Sequence, residues 1–167
     1  MHAPYSDDPR GTNRGIAVCN LTQFAARVVE ADAAGLQVAV HAIGDAAVDA
    51  ALDAAEAAGR VNDRAGRGRG RDRRFRVEHA QHMTAPLEGQ PRRMARVGAV
   101  ASVQPTHMVL DRNLVVGKLG TERAARSYAF KSILNAGVPL SGGSDWPIVD
   151  ADPLAAMEAA VTRGGSD

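Results

Sequence analysis

Three residues that could bind a metal ion, His41, His79 and Asp145, each follow a short run of β-prone residues. The carboxyl ends of parallel strands meet at one edge of a sheet, where α/β folds collect ligands and catalytic groups. Two neutral imidazoles and a carboxylate suit zinc or a similar divalent ion and leave a coordination position for water. Such an ion would lower the pKa of that water toward ~7, so these residues predict a site that makes a nucleophile at neutral pH.

Each of these residues also has an ordinary structural explanation. A histidine at a strand end is commonly a hydrogen-bonded structural residue, and Asp145 precedes a proline-bearing turn, where aspartate commonly caps the backbone. The metal hypothesis therefore depends on all three residues occurring together. Two further histidines, His82 and His107, follow their strands less directly; both could face the pocket, but neither is predicted to be a ligand.

The elements that would position these residues alternate between strands and helices. Strands are predicted over 36–40, 75–79, 98–103 and 138–143, and helices over 21–34, 46–58, 121–136 and 153–162, with the end of another helix at 92–97. This alternation predicts right-handed βαβ units, a parallel sheet and the α/β class. Two architectures fit four such units: an open doubly wound sheet, or half of a (β/α)₈ barrel, which needs roughly 250 residues.

The composition of the 167 residues is that of a globular domain, with 45% hydrophobic and 23% charged residues. Only 4% are aromatic, so the core is expected to consist largely of Ala, Val and Leu. A net charge of +1 gives no argument for nucleic acid or an anionic membrane as a partner. Cys19 is the only cysteine, which excludes an intrachain disulfide and a thiolate metal cluster. The polar amino terminus and the lack of a ~20-residue apolar span predict a cytoplasmic protein that binds no membrane.

Residues 60–74 form a low-complexity stretch of Arg and Gly that could not pack a core. We interpret it as a flexible, solvated insertion within a single domain that covers 1–167. An RNA-binding tract is the alternative, but the stretch is short and has no interleaved aromatic residues. Nucleic acid is therefore not predicted as a partner.

Four short segments are distinctive in combination: His-Ala-Ile-Gly-Asp at 41–45, Val-Glu-His-Ala-Gln at 77–81, Ala-Ser-Val-Gln-Pro-Thr-His at 101–107 and Gly-Ser-Asp-Trp-Pro at 143–147. In order and spacing they resemble the amidohydrolase superfamily, and most closely its amidohydrolase family 3, which includes N-substituted formamide deformylases. Residues 4–9 and 160–163 are similar to the same branch, so the resemblance covers nearly the whole chain.

This resemblance implies a partial TIM barrel of about strands five to eight, with a mono- or binuclear metal centre, expected to hold zinc, that hydrolyses amide-type C–N bonds. His41 would match the metal ligand at the end of strand five, and His79 the ligand after strand six. Asp145 would match the strand-eight aspartate, which binds metal and carries a proton from the attacking water to the leaving group. The residues expected to contact a small-molecule substrate are Gln104, His107 and Trp146. For Gln104 and Trp146, packing within the barrel is the alternative role.

The chain departs from the family in the rest of its metal site. It contains no His-x-His pair, and its lysines, Lys118 and Lys131, do not match the strand-four lysine that can bridge two metals. The expectation is therefore a fragment with an incomplete site, active only in a completed barrel. A half-barrel would expose two unpaired edge strands and an apolar inner face, and would associate with itself or with a complementary half. A half-barrel that associates in this way without catalysis is the alternative function.

Overall fold

The structure, a computed structural model, describes residues 1–68 and 70–164. Its helices are α1 (Leu21–Ala33), α2 (Asp45–Arg64), α3 (Gly89–Arg96), α4 (Pro105–Ala124), α5 (Phe130–Asn135) and α6 (Pro153–Thr162). Its strands are β1 (Ala39–Ala42), β2 (Arg76–His79), β3 (Val100–Val103) and β4 (Leu140–Gly142). Within the two described ranges, no helix is both long and apolar enough to cross a bilayer.

The strands form one parallel sheet whose spatial order, β1-β2-β3-β4, is also their order in the sequence. The register pairs Ala42 with His79 between β1 and β2, and Val103 with Gly142 between β3 and β4. The carboxyl ends of all four strands therefore lie at the same edge. This arrangement confirms the predicted α/β class and the predicted parallel sheet.

The helices cover one face of this sheet. Side chains alternate between the two faces along a strand, and those of Val77, Ala101 and Val103 are buried almost completely beneath the helices. Opposite them, α2 contributes an apolar stripe at helical spacing that includes Val48, Leu52 and other buried residues. Alanine and valine supply most of the buried hydrophobic residues of the described chain, which confirms the predicted aliphatic core.

The opposite, open face of the sheet is polar. The strand register places on it Ala39, His41, Arg76, Glu78, Val100, Ser102 and Ser141. Arg76 and Glu78 form an ion pair there, with Nε of Arg76 2.7 Å from the carboxylate of Glu78. The expectation of an apolar inner face is wrong, because most of the larger apolar residues of these short strands occupy the alternate positions that face the helices.

The first helix after β3 differs from the predicted elements. A loop is expected after Gln104, but α4 begins directly at Pro105. Proline is favoured at the first position of a helix, because its fixed φ is helical and its missing N–H would have no partner there. His107 consequently lies on the first turn of α4 instead of in a loop.

The single helix predicted over 121–136 is also wrong. The backbone of α4 is broken at Gly120 (φ 74°), and the chain leaves the helix before Tyr128, which has a left-handed φ of 52°. A separate helix, α5, begins at Phe130. The apolar periodicity that predicted one helix therefore spans the end of α4, a turn and α5.

Beneath the amino-terminal ends of β1 and β2, a buried carboxylate anchors part of the Arg-rich segment. Asp32 of α1 is nearly inaccessible; Asn62 donates to it at 2.8 Å, Nε of Arg73 donates at 2.9 Å, and Arg71 also binds it. Burial raises the pKa of Asp32, but the hydrogen bonds from Asn62 and Arg73 outweigh burial and hold that pKa below its ordinary value. The ionised carboxylate therefore ties the segment to the helix layer.

The predicted insertion over 60–74 is thus partly structured. Its first residues, to Arg64, continue α2, and two of its arginines are bonded to the α1 carboxylate just described. Arg69, which belongs to the same stretch, lies outside the described residues. The flexibility of the stretch stays a prediction.

Candidate metal centre

The carboxyl edge of the sheet brings together the three side chains predicted to bind metal. His41 is the third residue of β1 and His79 the last of β2, and their rings meet edge to face with centroids 4.4 Å apart. Asp145 lies in the turn after β4, and its Oδ2 is 3.9 Å from Nε2 of His79. That separation is too long for a hydrogen bond. His79 is therefore the centre of the cluster, with His41 on one side and Asp145 on another.

His107 joins this cluster from α4. Its ring stacks on that of His79 with centroids 6.1 Å apart. One ligand atom from each of His79, His107 and Asp145 lies within 4.8 Å of the others. His41 contacts the ring of His79 but is not a member of this group of three. The geometry therefore makes His107 a candidate ligand, while the ligand role predicted for His41 stays a prediction.

A signal in the sequence could have placed His107 in the cluster. Gln104 ends the predicted third strand, and Pro105 follows it at once. Because proline commonly occupies the first position of a helix, this step predicts a helix that starts at the carboxyl edge of the sheet. The third residue of such a helix, His107, then lies close to the strand ends.

Two members of the cluster have an unusual backbone conformation. His79 (φ 70°), its neighbour Ala80 (φ 47°) and Asp145 (φ 58°) are all in the left-handed region, although none is glycine. Each such residue costs about 1–3 kcal/mol, and the conformation persists only where the surrounding structure imposes it. Strain of this kind is typical of positions where the direction of a side chain matters for function.

The donor atoms of the cluster fit a divalent metal. Nδ1 of His79 and Nε2 of His107 are buried and have no hydrogen-bond partner in the described parts of the chain, which is costly unless another group satisfies them. Burial lowers the pKa of His79, and His41 lowers it further, while Asp145 acts in the opposite direction. His79 is therefore neutral at pH 7, which is the form that binds metals.

The other predicted substrate contacts, Gln104 and Trp146, differ in exposure. Gln104 is buried, and its side-chain amide donates to the carbonyl of Ser102 at 3.4 Å, which suits a packing role. Trp146 directly follows Asp145 and is 72% exposed, so its indole ring is accessible to a ligand. Substrate contact stays a prediction for both residues.

His82 lies close to the cluster and is fully engaged in hydrogen bonds. Its Nδ1 is 2.8 Å from Oγ of Ser127, and its Nε2 is 3.3 Å from the amide nitrogen of Gln81. Burial lowers the pKa of His82 to about 4, and the carboxylates of Asp45 and Asp111 oppose this only in part. Both ring nitrogens therefore have partners, and the expectation that His82 is not a ligand stays a prediction.

A model of the amidohydrolase family matches residues 1–166, which is nearly the whole chain. The chain belongs to this family. The amidohydrolase chain is 45% identical over 164 residues to Protein LONG AFTER FAR-RED 3 of Arabidopsis thaliana. It is 33% identical over 166 residues to Putative amidohydrolase YtcJ of Bacillus subtilis (strain 168). These alignments cover 98% and 99% of the chain but 26% and 29% of the two relatives.

Two solved structures resemble this amidohydrolase chain. An uncharacterised metal-dependent hydrolase from Pyrococcus horikoshii OT3 superposes with a TM-score of 0.76 and 34% identity, over 96% of this chain and 29% of that one. A second, from Pyrococcus furiosus, gives a TM-score of 0.74 and 35% identity, over 93% of this chain and 29% of that one. The amidohydrolase chain thus spans less than a third of the length of these relatives.

Proposed function

We propose that this chain forms part of a metal-dependent hydrolase that cleaves amide-type C–N bonds in small molecules, as N-substituted formamide deformylases do. The observation that carries the proposal is the convergence of His79, His107 and Asp145 within 4.8 Å at the carboxyl edge of a parallel sheet. Membership of the amidohydrolase family and the likeness to two metal-dependent hydrolases support it. The donor set, two imidazoles and a carboxylate, makes zinc the proposed ion.

The side chains of the cluster have separate roles in this proposal. His79 and His107 would hold the ion through ring nitrogens, and His41 packs against the ring of His79. When bound, a divalent ion acts as a Lewis acid that polarises a carbonyl and lowers the pKa of a coordinated water. Asp145, whose carboxylate is 3.9 Å from Nε2 of His79, would accept a proton from the attacking water and pass it to the leaving nitrogen as the C–N bond breaks.

We further propose that the chain forms about strands five to eight of a TIM barrel. Doubly wound sheets carry helices on both faces and reverse their strand order at the ligand site. Here the strands follow their sequence order and the helices cover one face, as in a barrel wall. The predicted extent of this domain is 1–167, and its cytoplasmic location and independence of nucleic acid and membranes stay predictions.

The proposed partner is a second sheet, supplied by another copy of this chain or by a complementary half-barrel. Within the part of the chain that the structure describes, β1 pairs only with β2, and β4 pairs only with β3. Each outer edge therefore presents backbone groups that another strand can bind. Association without catalysis is the second candidate function, and it rests on these same edges.

Size-exclusion chromatography with light scattering tests this association. The chain is expected to run at a multiple of its 17.5 kDa mass. Ala39→Pro should lower that mass, because it alters the first residue of the β1 edge, where proline removes a donor from the backbone. Ala17→Pro, at an exposed position outside the helices and strands, is the matched control. A monomeric unaltered chain, or an Ala39→Pro variant of unchanged mass, would contradict association through this edge.

Zinc titration of single-histidine variants tests the metal centre. His79→Ala and His107→Ala should each weaken zinc binding by at least about 10–100-fold. Mutating residues that only hydrogen-bond to metal ligands already lowers metal affinity by that factor. His41→Ala tests whether His41 is also a zinc ligand. His2→Ala is the control, since His2 is exposed and bonded to Asp49. Equal zinc affinity in the His79, His107 and control variants would remove the proposed site.

A further inference from the structure

A carboxylate one helical turn beyond His107 connects α4 to the segment that follows β2. Asp111 accepts a hydrogen bond from the Tyr128 hydroxyl at 2.6 Å and another from the Gln81 side-chain amide at 3.2 Å. Tyr128 and Gln81 are each only 5% exposed. Residues four positions apart share a face of a helix, so the face of α4 that presents His107 to the cluster also holds Asp111.

The segment after His79 is bonded on both sides through its backbone. The N–H of Tyr128 donates to the Gln81 carbonyl at 2.7 Å, and the N–H of Met83 donates to the Arg126 carbonyl at 3.2 Å. On the other side, the N–H of His82 donates to the Ile43 carbonyl, just beyond β1, at 3.0 Å. The turn that follows His79 is therefore held between the end of β1 and the connection from α4 to α5.

This bonding offsets the strain at the end of β2. His79 and Ala80 occupy the left-handed region in succession, a conformation that relaxes unless the surrounding structure opposes it. Asp111 accepts both side-chain hydrogen bonds at one carboxylate oxygen, which ties α4 to the segments on either side of this turn. Burial and the bond to Asp111 raise the pKa of Tyr128, so its hydroxyl remains a donor throughout the neutral range.

We propose that Asp111, Tyr128 and Gln81 are positioning residues that fix the ring of His107 against the ring of His79. His107 is carried by α4 and His79 by β2. Asp111, also on α4, accepts hydrogen bonds from Gln81 in the turn after β2 and from Tyr128 in the connection from α4 to α5. That these hydrogen bonds aid metal binding rests on the proposed function, whereas the hydrogen bonds themselves do not require a metal. Asp111 and Tyr128 touch neither ion nor substrate in this role.

Nuclear Overhauser effects between histidine rings of the metal-free chain test the proposal directly. The cross-peak between His79 and His107 should weaken in both variants. Tyr128→Phe removes the bond between α4 and the connection from α4 to α5, and Asp111→Asn weakens the bonds that Asp111 accepts from Tyr128 and from Gln81 of the turn after β2. The His41–His79 cross-peak is the internal control, since both rings are carried by paired strands, with centroids 4.4 Å apart. Tyr5→Phe and Asp53→Asn are the matched control substitutions and should change neither cross-peak.

Two results of this experiment would overturn the proposal. One is an unchanged His79–His107 cross-peak in both Tyr128→Phe and Asp111→Asn. The other is an equal loss of both ring cross-peaks together with chemical-shift dispersion, which would assign Asp111 to general folding. Preservation of the His41–His79 cross-peak with selective loss of the other supports positioning.

Cobalt(II) titration followed by visible absorption separates this inference from the proposed function. The two variants should bind cobalt about 10–100-fold more weakly than the unaltered chain and give an altered ligand-field spectrum, because outer-shell groups orient the ligands. Unchanged affinity and spectrum would contradict the positioning role. If the unaltered chain binds no cobalt, the metal-dependent function fails, and the ring cross-peaks alone decide whether Asp111 positions His107.

Discussion

Asp145→Asn should slow amide hydrolysis by several orders of magnitude in samples matched for zinc content. Asparagine keeps the size of aspartate and one oxygen that can bind metal, but its amide does not accept a proton at neutral pH. Loss of a general acid/base group typically slows a reaction by about 10²–10⁴-fold. The measurement is kcat on a panel of N-formyl and N-acyl amides, with the zinc content of the same samples determined by elemental analysis.

The control for this variant is Asp150→Asn. Asp150 is exposed and lies in the same loop after β4, five positions beyond Asp145, so the substitution changes the same charge without reaching His79. Its kcat should equal that of the unaltered chain. Because activity is expected only in a completed barrel, the variants are compared in the assembled form, with the sheet completed by another copy or a complementary half. Hydrolysis at an unchanged rate in assembled Asp145→Asn would contradict the proton transfer assigned to this carboxylate, and an assembled unaltered chain that cleaves no amide would contradict the proposed reaction.

The stability of the chain should fall on acidification because of His82. Its pKa is about 4 in the folded chain and near 6.5 when a histidine is exposed to water. Between these pH values the unfolded chain binds a proton at His82 that the folded chain does not bind. The free energy of unfolding therefore decreases as the pH falls from about 6.5 to about 4, by about 3 kcal/mol from this residue.

Urea unfolding at pH 7.5 and at pH 4.5 measures this effect. His82→Asn should lower the stability at pH 7.5, because it perturbs the bond to Ser127, and should reduce the difference between the two pH values. His2→Asn removes an exposed histidine and should leave that difference nearly unchanged. A pH difference in His82→Asn as large as that of the unaltered chain would show that the buried imidazole is not its source.

The strand ends were the most predictable part of this molecule. Short β-prone runs followed by His41, His79 and the turn at Asp145 recur between helical segments, and parallel strands must then place these residues at one edge. That constraint follows from connectivity alone and needs no knowledge of side-chain packing. The structure accordingly brings His41 and His79 into ring contact and Asp145 to within 3.9 Å of His79.

The membership and geometry of the cluster were less predictable. His107 depends on where α4 begins, and the glycines at 117 and 120 obscure the helical pattern of that segment. The left-handed backbone at His79 and Asp145 is uncommon for residues other than glycine, although His and Asp adopt it more readily than most, so no local pattern predicts it. The link through Asp111 joins residues distant in the chain, so no local pattern could indicate it.

The lining of the open sheet face determines how a second chain can approach it. Arg76 and Glu78 are charged and Ser141 exposes a hydroxyl group, and taking such groups out of water without replacing their hydrogen bonds is unfavourable. Non-specific apolar association through this face is therefore disfavoured. In the proposed association, recognition of a second sheet would depend on the direction and spacing of the backbone N–H and C=O groups at the strand edges more than on apolar contact.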